Sequence, residues 1–100
     1  MKKTEFLEKA GFTKSSEDAK VFTRALSDTC VVVAFINGNG VIFHLMINGK
    51  TIACTIQTVE YEDIAEAFKE LMKALQTVIN DLNNACKLQN EILDLINKTK

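Results

Sequence analysis

Residues 61–98 read YEDIAEAFKELMKALQTVINDLNNACKLQNEILDLINK, and the fold turns on how this stretch hides its apolar side. Numbered in heptads from Tyr61 at position a, every b, c and f position is polar, from Glu62, Asp63 and Glu66 through to Asn97 and Lys98. The a, d, e and g positions are apolar except Asp81 at g and Gln89 at a, and no Gly or Pro interrupts them. Apolar residues recurring on one face at helical period mark an amphipathic helix. At ~1.5 Å per residue this helix is roughly 57 Å long. Strands of seven or eight residues reach only about 25 Å, so a sheet covers about its first half.

The second half, 82–98, carries Leu82, Ala85, Cys86, Leu88, Ile92, Leu93, Leu95 and Ile96. Leaving these side chains in water forfeits on the order of 10 kcal/mol, comparable to the whole stability of a domain. Two arrangements shelter them. The chain breaks near 80–84, with Asn80 or Asp81 capping a second helix, and folds back as an αα-hairpin. Alternatively, the helix is continuous and 82–98 is an extension that packs on a second copy or on another protein. The unbroken phase favours the continuous helix, because a turn usually shifts the heptad count. A strict seven-residue repeat also implies a left-handed coiled coil. An apolar face spanning a, d, e and g suits a helix with two neighbours, as in a bundle. Gln89, at an a position, either sets register and oligomer state or sits near a solvated end. The expected oligomer or partner interface is thus Leu82, Ala85, Cys86, Leu88, Gln89, Ile92, Leu93, Leu95 and Ile96.

Working back towards the N-terminus, strand-like runs occupy 21–26, 30–36, 41–47 and 50–58. Asn37-Gly38-Asn39-Gly40 and Asn48-Gly49 separate the last three, and Asn and Gly tolerate the positive φ of hairpin turns. Thr4 to Ala10 reads as a short helix capped by Thr4 and closed by Gly11, and 13–19 as a polar loop. The whole is one α+β domain over 1–100: a short helix, a three- to four-stranded antiparallel meander, and the long C-terminal helix.

Two-residue turns place Ile36 opposite Val41, Ala34 opposite Phe43, Leu45 opposite Ile52 and Phe43 opposite Cys54. One sheet face then holds Cys30, Val32, Ala34, Ile36, Val41, Phe43, Leu45, Ile47, Ile52, Cys54 and Ile56, which is the core. The other holds Val31, Val33, Phe35, Ile42, His44, Met46, Thr51, Ala53, Thr55 and Gln57. An antiparallel sheet with one wet face alternates more cleanly than this. Something covers it, either the N-terminal helix or another chain, and Val33, Phe35, Ile42, His44 and Met46 form a second possible surface.

The net charge is −1 and the basic residues form no block. That disfavours nucleic acid, whose ligands need a basic footprint, and a polybasic membrane-surface role. No window reaches the ~18 apolar residues of a membrane span. Met1-Lys2-Lys3 has the charge of a signal peptide's start, but Glu5 and Glu8 break the apolar run that would follow. An odd set of three cysteines without CxxC spacing suits reduced thiols in a cytoplasmic protein. Cys30 and Cys54 fall on the core face as packing residues, which leaves Cys86 as the thiol open to reaction.

His44 is the one histidine, so no histidine-based metal site forms within a chain. In this register Ala53 and Val33 flank it and no acid opposes it. The 37–40 turn lacks the Lys-Ser/Thr of a phosphate loop and opens no helix. Glu60, Glu62, Asp63 and Glu66 crowd the start of the long helix and complement its dipole; Glu60, Glu62 and Asp63 would also suit a cation or a basic partner. Neither a catalytic set nor a cofactor or metal site emerges, and a non-enzymatic protein is expected.

The order helix, antiparallel meander, then one or two helices resembles small phage-encoded inhibitors, including anti-CRISPR proteins. The resemblance covers element order along most of the chain and no residue motif. It implies inhibition by docking on a host or defence protein. Nucleic-acid-mimicking inhibitors are strongly acidic, unlike this chain. The expectation is therefore a homo-oligomeric interaction module that also binds an unidentified protein. The alternative is a small-ligand binder with its pocket between sheet and helices, around Phe43, Met46 and His44.

Overall fold

A computed structural model describes residues 2–15 and 20–99. Helix α1 spans Lys3–Lys9, and five strands follow: β1 Thr13–Lys14, β2 Val21–Ala25, β3 Cys30–Asn37, β4 Gly40–Ile47 and β5 Lys50–Cys54. Helix α2 is Tyr61–Met72, a 3-10 turn occupies Lys73–Leu75, and helix α3 is Ile79–Thr99. The sheet is an antiparallel meander in chain order. It has one strand more than the sequence suggested, because Thr13 and Lys14 pair with Thr23 and Phe22. The rest of the loop expected over 13–19 lies, at 16–19, outside the described residues.

Helix α1 begins without a side-chain cap, so Thr4 does not play the capping part expected of it. Its end is a Schellman turn. Gly11, at φ 86°, donates its N–H to the Glu8 carbonyl, and Phe12 donates to Leu7. That turn delivers Phe6, Leu7, Ala10 and Phe12 into the core, so α1 packs on the same side as the other helices. The Phe6 ring lies 5.0 Å from that of Tyr61, and Phe43 stands between Phe12 and Phe68 at 6.0 and 5.9 Å.

The continuous helix is replaced by an αα-hairpin, and the break falls at 73–78 rather than 80–84. Val78 donates to the Leu75 carbonyl and Leu82 to Val78, closing the turn and starting α3. Thr77, Val78 and Ile79 are β-branched, which lowers helix propensity there without any Gly or Pro. The heptad phase survives the reversal because the buried stripe runs through Leu71 and Leu75 to Ala85. The turn length keeps both stripes on one side of the molecule.

Folding back decides the fate of the apolar tail. Ala85, Leu88 and Ile92 are fully buried, Ile96 nearly so, and Leu82 and Leu95 pack on the same cluster. Gln89 is buried too: its Nε2 donates to the Ala65 carbonyl of α2 at 2.9 Å. Only Cys86 and Leu93 of the expected interface are exposed. The sheet and α2 of the same subunit supply the surface that the tail requires. The case for assembly through 82–98 falls with it. Helix α3 is tied down further by Asn84, whose Nδ2 donates to the Leu26 carbonyl at 2.6 Å. Arg24 of β2 joins the Ala10 carbonyl to Glu91 of α3.

Candidate functional site

Among the described residues two open surfaces stand out once the core is closed, and both are consequences of the sheet. The first is the sheet face that no described helix covers. The register brings Val21, Phe35 and Ile42 into one cross-strand row, Thr23, Val33, His44 and Cys54 into the next, and Ala25, Val31 and Met46 into a third. None of these residues is an acid, a lysine or an arginine. Val33, at the centre, is walled in by its neighbours to 7% exposure, while Phe35, Ile42, His44 and Met46 are half-buried. The second surface expected from the sequence is therefore one contiguous patch. The N-terminal helix does not cover it, since α1 lies on the opposite side.

The register also differs from expectation at one point. A bulge leaves Ile52 unpaired between Thr51, which pairs with Met46, and Ala53, which pairs with Leu45. Beyond the bulge every side chain of β5 changes face. Ala53 packs on the core, whereas Cys54 turns to the open face opposite His44. Ile52 and Ile56, placed in the core by the ideal register, are 46% and 82% exposed. Cys54 is exposed along with Cys86, and only Cys30 is a buried thiol. Burial and the Asp81 carboxylate push the Cys30 thiol up to about 11.

His44 and Cys54 are the nearest approach to a nucleophile and base. The imidazole is gripped edge-on by Phe35, with ring centroids 4.9 Å apart. No described residue hydrogen-bonds it, Cys54 included, so the pair lacks the contact that activates a thiol. The ligand pocket expected around Phe43, Met46 and His44 is not formed. Phe43 is fully buried on the core side, and the other two lie on the open face.

The second surface is a groove of about 920 Å³ between the chain leaving β5 and helix α2. Its floor is 53–59, with Ile56 and Val59 (42% exposed) standing up from it. Glu60, Asp63, Glu66, Ala67, Glu70 and Leu71 form its wall. The floor is anchored by Thr55, which donates its N–H to the Phe43 carbonyl, and by Thr58, paired with Val41. Among the described residues, no group of histidine, cysteine, aspartate or glutamate side chains is arranged to hold a metal ion. No described helix is long and apolar enough to cross a membrane.

No family model, curated protein or solved structure matches this chain.

Proposed function

We propose that the chain is a non-enzymatic interaction module that pairs with a second copy through the open face of its sheet. The observation that carries this reading is the placement of the three described α-helices on one side, with a half-apolar sheet face on the other whose described residues carry no lysine, arginine or carboxylate. A face made of four strands spaced ~4.8 Å apart and about six residues long occupies roughly 400 Å² in plane. Patches of about 300–600 Å² on monomers are often functional. Two such faces bury an area at the lower end of specific interfaces, below about 1,200 Å², which suits a reversible dimer.

Self-association is favoured over a charged partner because the patch carries no lysine, arginine or carboxylate. An isologous interface presents the same patch from both subunits, residue i meeting j and j meeting i, so a patch of one charge would repel its copy. Phe35 and Met46, in the rows on either side of Val33, are of the aromatic and methionine types enriched in interface cores. The order of elements supports docking in the manner of the phage-encoded inhibitors it resembles, with one protomer's remaining surfaces presented to a target protein. Sedimentation equilibrium tests the pairing. A dimer is expected within the range of about 10–200 μM that a small interface implies. Phe35→Asp or Met46→Asp, at positions already in contact with water, returns it to monomer without unfolding. A wild-type chain that stays monomeric across that range refutes the pairing.

A further inference from the structure

The groove beside β5 is a different surface with a different chemistry, and its occupant follows from three observations. The first is the free edge. β5 is the last strand of the sheet, with β4 on one side and no described strand on the other. Edge strands are normally guarded by charges and bulges, and Lys50 and the bulge at Ile52 guard the first half of this one. Beyond Ile52 the guard stops. The main chain of Ile56 and Val59 makes no hydrogen bond to a described residue, and both side chains are exposed.

The second observation is charge. Glu60, Asp63, Glu66 and Glu70 line the groove, and no lysine, arginine or histidine does. The local field is strongly negative although the whole chain carries only −1. No described residue forms an ion pair with Glu60, Asp63 or Glu66. Glu70 has Lys73 at 3.0 Å, an exposed pair that a better partner displaces. The helix dipole accounts for Glu60 and Asp63. It fades within one turn, so it does not account for Glu66 and Glu70.

The third is spacing. Positions 60, 63, 66 and 70 follow one stripe of α2, about 15 Å long at ~1.5 Å per residue. An extended segment covers that length in about five residues and presents a side chain on one side every ~6.6 Å. Three cations at alternate positions of such a segment lie along the four carboxylates. Its intervening apolar side chains point away from α2, towards the exposed Ile56 and Val59.

We propose that this groove binds an extended segment of a partner protein, with lysine or arginine alternating with apolar residues, added alongside 53–59. The mode is strand addition, with main-chain hydrogen bonds supplying affinity and alternate side chains supplying specificity.

The probe is a dye-labelled eight-residue peptide alternating lysine and valine, followed by fluorescence anisotropy. Saturable binding is expected, weakening at least tenfold between about 50 and 500 mM salt as exposed charges are screened. Asp63→Lys with Glu66→Lys, both at exposed positions, weakens it at least tenfold. Asp63→Asn with Glu66→Gln, which keeps shape and removes charge, weakens it in the same direction and serves if the reversal disturbs folding. Methylating alternate backbone nitrogens of the peptide also costs at least tenfold, because the added strand loses its donors. The Phe35→Asp chain binds as the wild type does, which separates this groove from the dimer face. The proposal is overturned by no binding at about 1 mM peptide, a concentration that detects even millimolar affinity. It is equally overturned by indifference to the neutralised carboxylates, by equal binding of the methylated peptide, or by loss of binding with Phe35→Asp.

Discussion

Replacing Ile92 by alanine separates a tail that completes its own subunit from one that joins two. Ile92 is fully buried, and the substitution removes three carbons. At ~0.8 kcal/mol per buried CH₂ the transfer loss is about 2.4 kcal/mol. The cavity left behind raises the cost to about 3–4 kcal/mol, because α2 and the sheet relax only in part. A domain of this size holds some ~5–15 kcal/mol, so a large fraction of its stability goes. With a urea slope of about 1.5 kcal/mol per molar, the unfolding midpoint drops by about 2 M. The discriminating measurement is the same titration at about 2 and 200 μM protein, since only an interface residue responds to concentration by mass action. The hairpin demands one shift at both concentrations. A loss below about 1 kcal/mol would place Ile92 outside the core. A loss that shrinks as protein is added would return 82–98 to a seam between subunits. By the same reasoning Ile92→Asp with Ile96→Asp unfolds the chain instead of yielding a folded monomer.

Four further outcomes follow from the core and the turns. Gln89→Leu is expected to cost less than about 1 kcal/mol or to stabilise, because it also removes the buried, unpartnered Oε1; thermal melting measures it. Ellman's reagent reacts promptly with the exposed Cys54 and Cys86 and reaches Cys30 only on unfolding. The raised Cys30 value has a second consequence: the unfolded thiol ionises from its ordinary 9.0 while the folded one stays protonated to about 11, so stability falls as pH rises through that window. Cys30→Val flattens the fall, and urea midpoints at pH 8 and 10.5 report it. Gly11→Ala lowers the melting temperature by an amount equivalent to more than about 1 kcal/mol, since the residue sits at φ 86° and its Cβ would meet the Arg24 guanidinium.

Local chemistry made most of the fold legible. The Asn-Gly turns placed β3, β4 and the start of β5 correctly, because positive φ at Asn48 and Gly49 leaves few hairpin geometries. The α2 and α3 stripes were readable for the same reason that made their relation unreadable. Heptad phase records which residues are apolar and carries no information on whether the axis reverses. A turn at 73–78 that preserved the count was therefore invisible. The same limit hid the bulge at Ile52. One extra residue leaves composition unchanged and inverts every face after it. It exposes Ile52, Cys54 and Ile56, and so creates both the His44–Cys54 pairing and the greasy floor of the groove. The acidic cluster was visible at Glu60, Glu62, Asp63 and Glu66 as a complement to the helix dipole. Its continuation to Glu70 looked like an ordinary solvated helix face until the folded chain set a groove beneath it.

Charge distribution is what sorts the two open surfaces. An apolar sheet face without formal charge can meet its own copy at no electrostatic cost, and desolvating it gains free energy in proportion to area. A groove walled by Glu60, Asp63, Glu66 and Glu70 cannot. Two such walls brought together would repel, and each carboxylate would lose water without gaining a partner. The groove therefore needs a cationic occupant, and the sheet face does not. Because β5 forms one border of both surfaces, its own side chains do not tell them apart. Cys54 points to the sheet face and Ala53 to the core side. A label at Cys54 would sense either occupant, whereas Phe35 and Met46 lie on the sheet face alone and Glu66 on the groove wall alone.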